Sequence, residues 1–131
     1  MNSSIRIFVV FMINLALIQA CSGKICWLGE TYVQIYNSLP GGVMLTVHCK
    51  SKDNDLGVHH IPQGGMWEFH FRPNFFCKTL FFCSMQWPGQ FHYFDIYDGK
   101  RDTTRCEEMC TWFVKPTGPC LLYDVCQKWK S

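Results

Sequence analysis

Apolar and polar residues alternate with a period of two in several short stretches of the chain, the pattern of half-buried β-strands. In "TYVQIYN", Val33 and Ile35 share one face while Tyr32, Gln34 and Tyr36 share the other, and "NSLPGG" then breaks the run. In "VMLTVHCK", Val43, Leu45, Val47 and Cys49 fall on one side and Met44, Thr46, His48 and Lys50 on the other, because successive strand side chains point to opposite faces. The clearest alternation is "MWEFHFR", where Trp67, Phe69 and Phe71 oppose Glu68, His70 and Arg72. "TLFFCSMQW" is more continuously apolar, which predicts either a strand covered on both sides or a core strand next to a disulfide. "FHYFDIYD" follows after Pro88-Gly89. "CTWFVK" and "LLYDV" flank "PTGPC", whose Pro116 and Gly118 suit a reversal between neighbouring strands. No helical period competes with these runs. The pattern predicts an all-β fold, a small disulfide-stapled β-sandwich of about seven to eight strands filled by inward aromatics.

The first residues follow another rule. Arg6 precedes the apolar stretch "IFVVFMINLALI", which is short for a bilayer span and interrupted by Asn14, and small residues follow at Ala20, Cys21, Ser22 and Gly23. This predicts a secretory signal peptide over residues 1–22, cleaved before Gly23 with cleavage after Ala20 or after Gly23 as the alternatives, and a single domain over residues 23–131 that is secreted to the extracellular space. A buried apolar helix and a lipoprotein signal ending at Cys21 are the competing readings, and Gln19 fits the second poorly.

Cysteine usage agrees with secretion. Of the nine cysteines, Cys21 leaves with the signal, so that an even set remains: Cys26, Cys49, Cys77, Cys83, Cys106, Cys110, Cys120 and Cys126. These are the disulfide candidates, and their pairing stays open among the roughly 105 connectivities that such a set allows. Cys106-x-x-x-Cys110 and the scattered His48, His59, His60, His70 and His92 match no zinc pattern, so no metal is expected, and no cofactor either. Removing Arg6 from the twelve Lys and Arg leaves them nearly balanced against ten Asp and Glu, with the signs interspersed. That balance predicts no nucleic-acid partner, no membrane insertion of the mature chain and no membrane-surface patch. Asn37, Asn54 and Asn74 lack a hydroxyl residue two places on, so N-glycosylation of the mature chain is not expected.

The polar run "SKDNDLG" after Cys49 raises three readings. A calcium loop needs oxygen ligands at alternating positions; Asp53 and Asp55 begin such a series, but Gly57 is misplaced and no closing carboxylate follows. A catalytic loop needs His48 or Cys49 as base or nucleophile, and a cysteine oxidised in a secreted chain cannot attack. The remaining reading is a structural corner, in which Asp53, Asn54 and Asp55 turn the backbone through side-chain hydrogen bonds and Gly57 supplies a conformation that other residues disfavour.

Taken in order, "YVQIYNSL", "LTVHCKSKDNDLG", "WEFHFRPNFF", "TLFFCSMQW", "FDIYDGKRD" and "CTWFVKPTGPC" resemble the plant self-incompatibility protein family, the S-protein homologues, over nearly the whole mature chain. "HCKSKDNDLG" is the most specific of these blocks. The resemblance implies a small secreted plant protein with a β-sandwich fold and a disulfide core. Members with a known role are female-side ligands that tell self from non-self pollen, and most have no established function. Cys49, Cys83, Cys106 and Cys110 match the recurrent family cysteines and Trp112 the tryptophan after the last of them, while Cys26, Cys77, Cys120 and Cys126 look like additions found in some members. Three residues, not the more usual two, separate Cys106 from Cys110, which leaves the pairing there open.

The functional expectation that follows is a monomeric extracellular ligand for an unidentified cell-surface protein receptor, in cell-cell signalling of the pollen-pistil type. Recognition is expected in polar loops at residues 51–60, 62–65, 73–78, 88–92 and 98–105, since scaffolded loops are where contacts usually sit. "YDGKRDTTR" is the most charged, which makes Lys100, Arg101 and Asp102 the candidate recognition loop; charge swaps there are expected to leave folding intact. A plain solvated hairpin is the bland alternative. A secreted defence or antimicrobial protein is the alternative function, against which the near-neutral charge counts. An enzyme is not expected: no Gly-x-Ser-x-Gly, His-Glu-x-x-His or phosphate loop is present, and adjacent Glu107 and Glu108 point to opposite faces of a strand. Trp67, Trp87 and Trp112 are read as core filling rather than a sugar platform.

Overall fold

The structure is a computed structural model that describes residues 26, 29–122 and 125–131, so the expected signal peptide lies outside the described residues. Among the described residues, nine strands form two sheets. One carries the order β4-β1-β7-β8-β9, from β4 (Met66–Phe71), β1 (Thr31–Asn37), β7 (Met109–Lys115), β8 (Gly118–Leu121) and the two-residue β9 (Val125–Cys126). The other carries β3-β2-β5-β6, from β3 (Asp55–Ile61), β2 (Leu45–Lys50), β5 (Leu80–Trp87) and β6 (Gln90–Asp98). A single helical turn, α1 (Gly99–Asp102), follows β6. All strand pairings are antiparallel except β1 with β7, which run parallel from Tyr32 opposite Met109 to Asn37 opposite Val114.

The alternation of apolar residues selects the inner faces. Val33 and Ile35 of β1, Leu45, Val47 and Cys49 of β2, and Phe69 of β4 are buried. The sheets are joined by aromatic contacts between them: Phe69 and Phe71 lie 5.2 and 4.6 Å from Phe81, and Phe94 meets Trp112 edge-on at 5.0 Å. Burying each such ring stabilises the fold by about 1.5–3 kcal/mol, and the edge-on geometry suits the ring quadrupoles. Trp112 is fully buried, as expected of core filling, and Trp67 and Trp87 pack against the core at its margin.

"LFFCSMQW" resolves the choice left open by its apolar run. Phe81, Cys83 and Met85 face inward, whereas Leu80 and Phe82 remain 40% and 37% exposed on the outer face. β5 is thus a core strand beside a disulfide, the second of the two alternatives. The loop expected at 51–60 also shrinks, since β3 begins at Asp55 and pairs with β2 up to Ile61 opposite Leu45. Likewise Gln90–His92, expected as loop, already belong to β6, and the reversal is confined to Pro88-Gly89. The tight reversal at Pro116-Thr117 between β7 and β8 is as expected.

Among the described residues four cystines staple this frame: Cys26–Cys77, Cys49–Cys83, Cys106–Cys110 and Cys120–Cys126. The recurrent family cysteines pair among themselves, and so do the additional ones. Cys49 stands directly opposite Cys83 across β2 and β5, so that bond follows from strand register; a link closing a loop of this size contributes about 2–4 kcal/mol. Buried Asn37, at the end of β1, fixes the two sheets to each other. Its side-chain amide donates to the carbonyls of Val43 and Ile61, and its oxygen accepts from the Leu39 amide.

Candidate recognition surface

Strand registers sort the loops into two ends. Thr31 faces Phe71, Lys50 faces Asp55, and Leu80 faces Asp98, so the loops at 51–54, 72–79 and 99–108 share one end. Tyr36 faces Met66, Leu45 faces Ile61, and Trp87 faces Gln90, which places the loops at 38–44, 62–65 and 88–89 at the other.

At the first end, "SKDND" folds as the structural corner expected from its residue types. The Ser51 amide donates to Asn54 O at 2.8 Å, and the Asn54 amide donates to Ser51 Oγ at 3.2 Å. Asp55 Oδ1 accepts from the Gly57 amide at 2.9 Å and meets His48 Nε2 at 2.6 Å, while Gly57 holds φ +80°, which a residue with a Cβ disfavours. The Gly57 amide and then the His48 hydrogen bond hold the Asp55 carboxyl below its ordinary pKa. Cys49 is locked to Cys83, so no thiol is present there for catalysis.

Lys100, Arg101 and Asp102 do not act alike. Asp102 is fully buried; its carboxylate receives Arg101 Nε and a terminal guanidinium nitrogen at 2.7 Å each and the Asp98 amide at 2.9 Å. Arg101 also donates to Asp95 O at 2.7 Å, and its guanidinium carbon lies 5.1 Å from the Phe94 ring centroid and 5.3 Å from that of Trp112. A bidentate pair stacked on core aromatics serves the fold. The expectation that charge swaps at Arg101 and Asp102 leave folding intact is therefore corrected, because either swap strands a desolvated charge. Lys100 alone of the three points to solvent; the Asp98 carboxylate caps α1 by accepting from its backbone amide at 3.0 Å.

The loop at 72–79 is built the other way. Pro73 and Cys77 are buried, and the loop is pinned between them: the Asn74 amide donates to Thr79 Oγ1 at 2.6 Å, and Asn74 Oδ1 accepts from the Phe76 amide at 2.7 Å. Cys77 takes φ +62°, an uncommon conformation for a residue with a Cβ, and is bonded to Cys26. Gly99 passes so close that a Cβ there would lie 2.7 Å from Cys77 O, and its amide donates to Thr79 O at 2.9 Å. What this rigid frame displays is apolar. Phe75 and Phe76 are 47% and 65% exposed and meet edge-on at 5.2 Å.

Between this loop and the 51–54 corner runs a groove of about 660 Å³, with Leu80 and Phe82 on its floor and Lys52, Arg72 and Lys78 on its walls. These three cations and neighbouring Lys100 are exposed and make no ion pair among the described residues. Asp53 is the acidic side chain of the groove. Phe82 also belongs to the outer face of the four-stranded sheet, where Val58, His48, Ser84 and Tyr93 form one cross-strand row and His60, Thr46, Gln86 and Phe91 the next. Among the described residues no group of three or more His, Cys, Asp or Glu is placed to hold a metal ion, and no helix is long and apolar enough to cross a membrane.

A two-sheet sandwich held by four cystines among the described residues defines a class of small disulfide-stapled β-sandwich proteins. The profile of the plant self-incompatibility protein S1 family matches residues 32–131, and the chain belongs to that family. It is similar to S-protein homolog 5 of Arabidopsis thaliana, at 50% identity over 95 residues that cover 71% of this chain and 73% of the relative. It is also similar to S-protein homolog 3 of Arabidopsis thaliana, at 34% identity over 142 residues covering 100% of this chain and 95% of the relative. The fold matches a solved self-incompatibility protein homologue at a TM-score of 0.58 and 19% identity, covering 81% of this chain and 97% of that one. That structure represents a widespread family of small, highly stable, secreted proteins from plants.

Proposed function

We propose that the protein is a secreted extracellular recognition ligand, delivered by a cleaved signal over residues 1–22, whose loop end at 51–54 and 72–79 contacts a protein receptor on a plant cell surface. One observation carries this reading: two exposed phenylalanines sit on a loop held by a cystine and an asparagine turn, together with cations that make no ion pair among the described residues. The staple stabilises the fold in any case, and a loop that it also holds rigid loses less entropy when it docks. Aromatic residues, phenylalanine among them, and arginine are also enriched at the cores of protein interfaces. The reading needs no cofactor and no catalysis, and the ligand acts as a monomer.

The test is tissue mapping of expression, followed by crosslinking of the tagged, oxidised protein to surfaces of that tissue. Saturable labelling of one membrane protein is the expected result. Labelling that rises linearly with concentration and spreads over many proteins would remove the ligand reading.

A further inference from the structure

We infer that the partner presents to this end an extended acidic segment carrying apolar side chains, with Phe75 and Phe76 as the anchors; the inference rests on the ligand reading above. Two demands of the surface select this occupant together. The first is charge. Lys52, Arg72 and Lys78 rim the groove without ion pairs among the described residues, and Asp53 is the acidic side chain between them. Glu107 and Glu108 stand away from the groove, where Thr31 Oγ1 donates to Glu107 O at the start of β1. A neutral partner would desolvate the three cations without pairing them, which is costly, whereas carboxylates pair them and steer the encounter.

The second demand is apolar area. Phe75 and Phe76, on the 72–79 loop that walls the groove, are 47% and 65% exposed, and Leu80 and Phe82, which line it, are 40% and 37% exposed. A polyanion without apolar groups leaves all four in water. The groove is also walled on both sides by the 51–54 and 72–79 loops, a shape that a chain segment fills and a flat bilayer does not. An acidic peptide with alternate apolar side chains meets both demands and the shape.

The test uses the oxidised protein and fluorescein-labelled synthetic peptides of about twelve residues, one alternating Glu and Asp with Leu and Phe, the other with Gln and Asn at the acidic positions. Fluorescence anisotropy is expected to show the acidic peptide binding at least about tenfold tighter, with affinity falling as salt rises from roughly 50 to 300 mM. Arg72→Glu/Lys78→Glu, and separately Phe75→Ala/Phe76→Ala, are each expected to weaken it by about tenfold or more while unfolding stays cooperative and the thermal midpoint moves by no more than about 5 °C. Equal affinity for the two peptides, or indifference to both double variants, overturns the inference. So does binding that goes to phosphatidylserine vesicles or to polygalacturonate in place of the peptide. If the peptide fails while tissue crosslinking stays saturable, the partner chemistry alone falls; if crosslinking is also non-saturable, the ligand reading falls with it.

Discussion

Two loops lie side by side at one end of the sandwich and spend their side chains in opposite ways. The 98–105 segment carries the denser charge, yet Asp102 is fully buried and Arg101 is folded over Phe94 and Trp112. The 72–79 loop is the more apolar, yet it turns Phe75 and Phe76 outward. Charge density is thus a poor guide to which side chains a loop turns to solvent. What decides is where hydrogen bonds and staples leave the side chains, and the two loops are tied together by the Gly99 amide on Thr79 O.

The comparison breaks most severely at Asp102. Asp102→Ala leaves the Arg101 guanidinium without its bidentate partner and the Asp98 amide without an acceptor, so a loss of about 3–5 kcal/mol is expected in denaturant unfolding. A loss below about 1 kcal/mol would put this loop back on the surface. Next in size is the paired change Cys26→Ser/Cys77→Ser, which opens the staple of the 72–79 loop. It should lower stability by about 2–4 kcal/mol and speed amide exchange around Phe76. Unchanged exchange there would mean that the asparagine turn holds the loop alone.

Smaller still are the outward changes. Phe75→Ala/Phe76→Ala and Lys100→Glu should each stay within about 0.5–1 kcal/mol of the parent, because these side chains are exposed. A cooperative loss beyond that range would make Phe75 and Phe76 part of the core. The smallest effect is the pH response of the corner at Asp55. Its folded pKa lies below the ordinary 3.8, so its contribution is present above that value and lost as pH falls through the folded value. Parent and Asp55→Asn should therefore differ in thermal midpoint near neutrality and converge in acid. A difference that is constant with pH would assign the corner to Asn54 and Gly57 alone.

Much of the frame was legible because burial follows a period of two: Val33 and Ile35, Leu45 and Val47, and Trp67 and Phe69 announce β1, β2 and β4. β3 was not, since Ile61 is its one buried residue, and an edge strand with so little inward surface carries no alternation to read. The outer face of β5 was ambiguous because Leu80 and Phe82 are as apolar as their inward neighbours. The cysteines announced a framework, but pairing depends on strand register, as in Cys49 opposite Cys83, which no local pattern encodes. Arg101 and Asp102 misled because a buried ion pair and an exposed one have the same sequence. Phe75 and Phe76 did leave a signal: between Pro73 and Cys77, two consecutive aromatics cannot both follow a strand's alternation inward.

The claim that the 72–79 loop, not the 98–105 segment, is the recognition face is tested most directly by side-by-side crosslinking of three folded proteins to the same tissue surface: the parent, Phe75→Ala/Phe76→Ala and Lys100→Glu. The account predicts that saturable labelling survives Lys100→Glu and drops by about tenfold or more in the phenylalanine variant. Loss in Lys100→Glu with full labelling by the phenylalanine variant would contradict it.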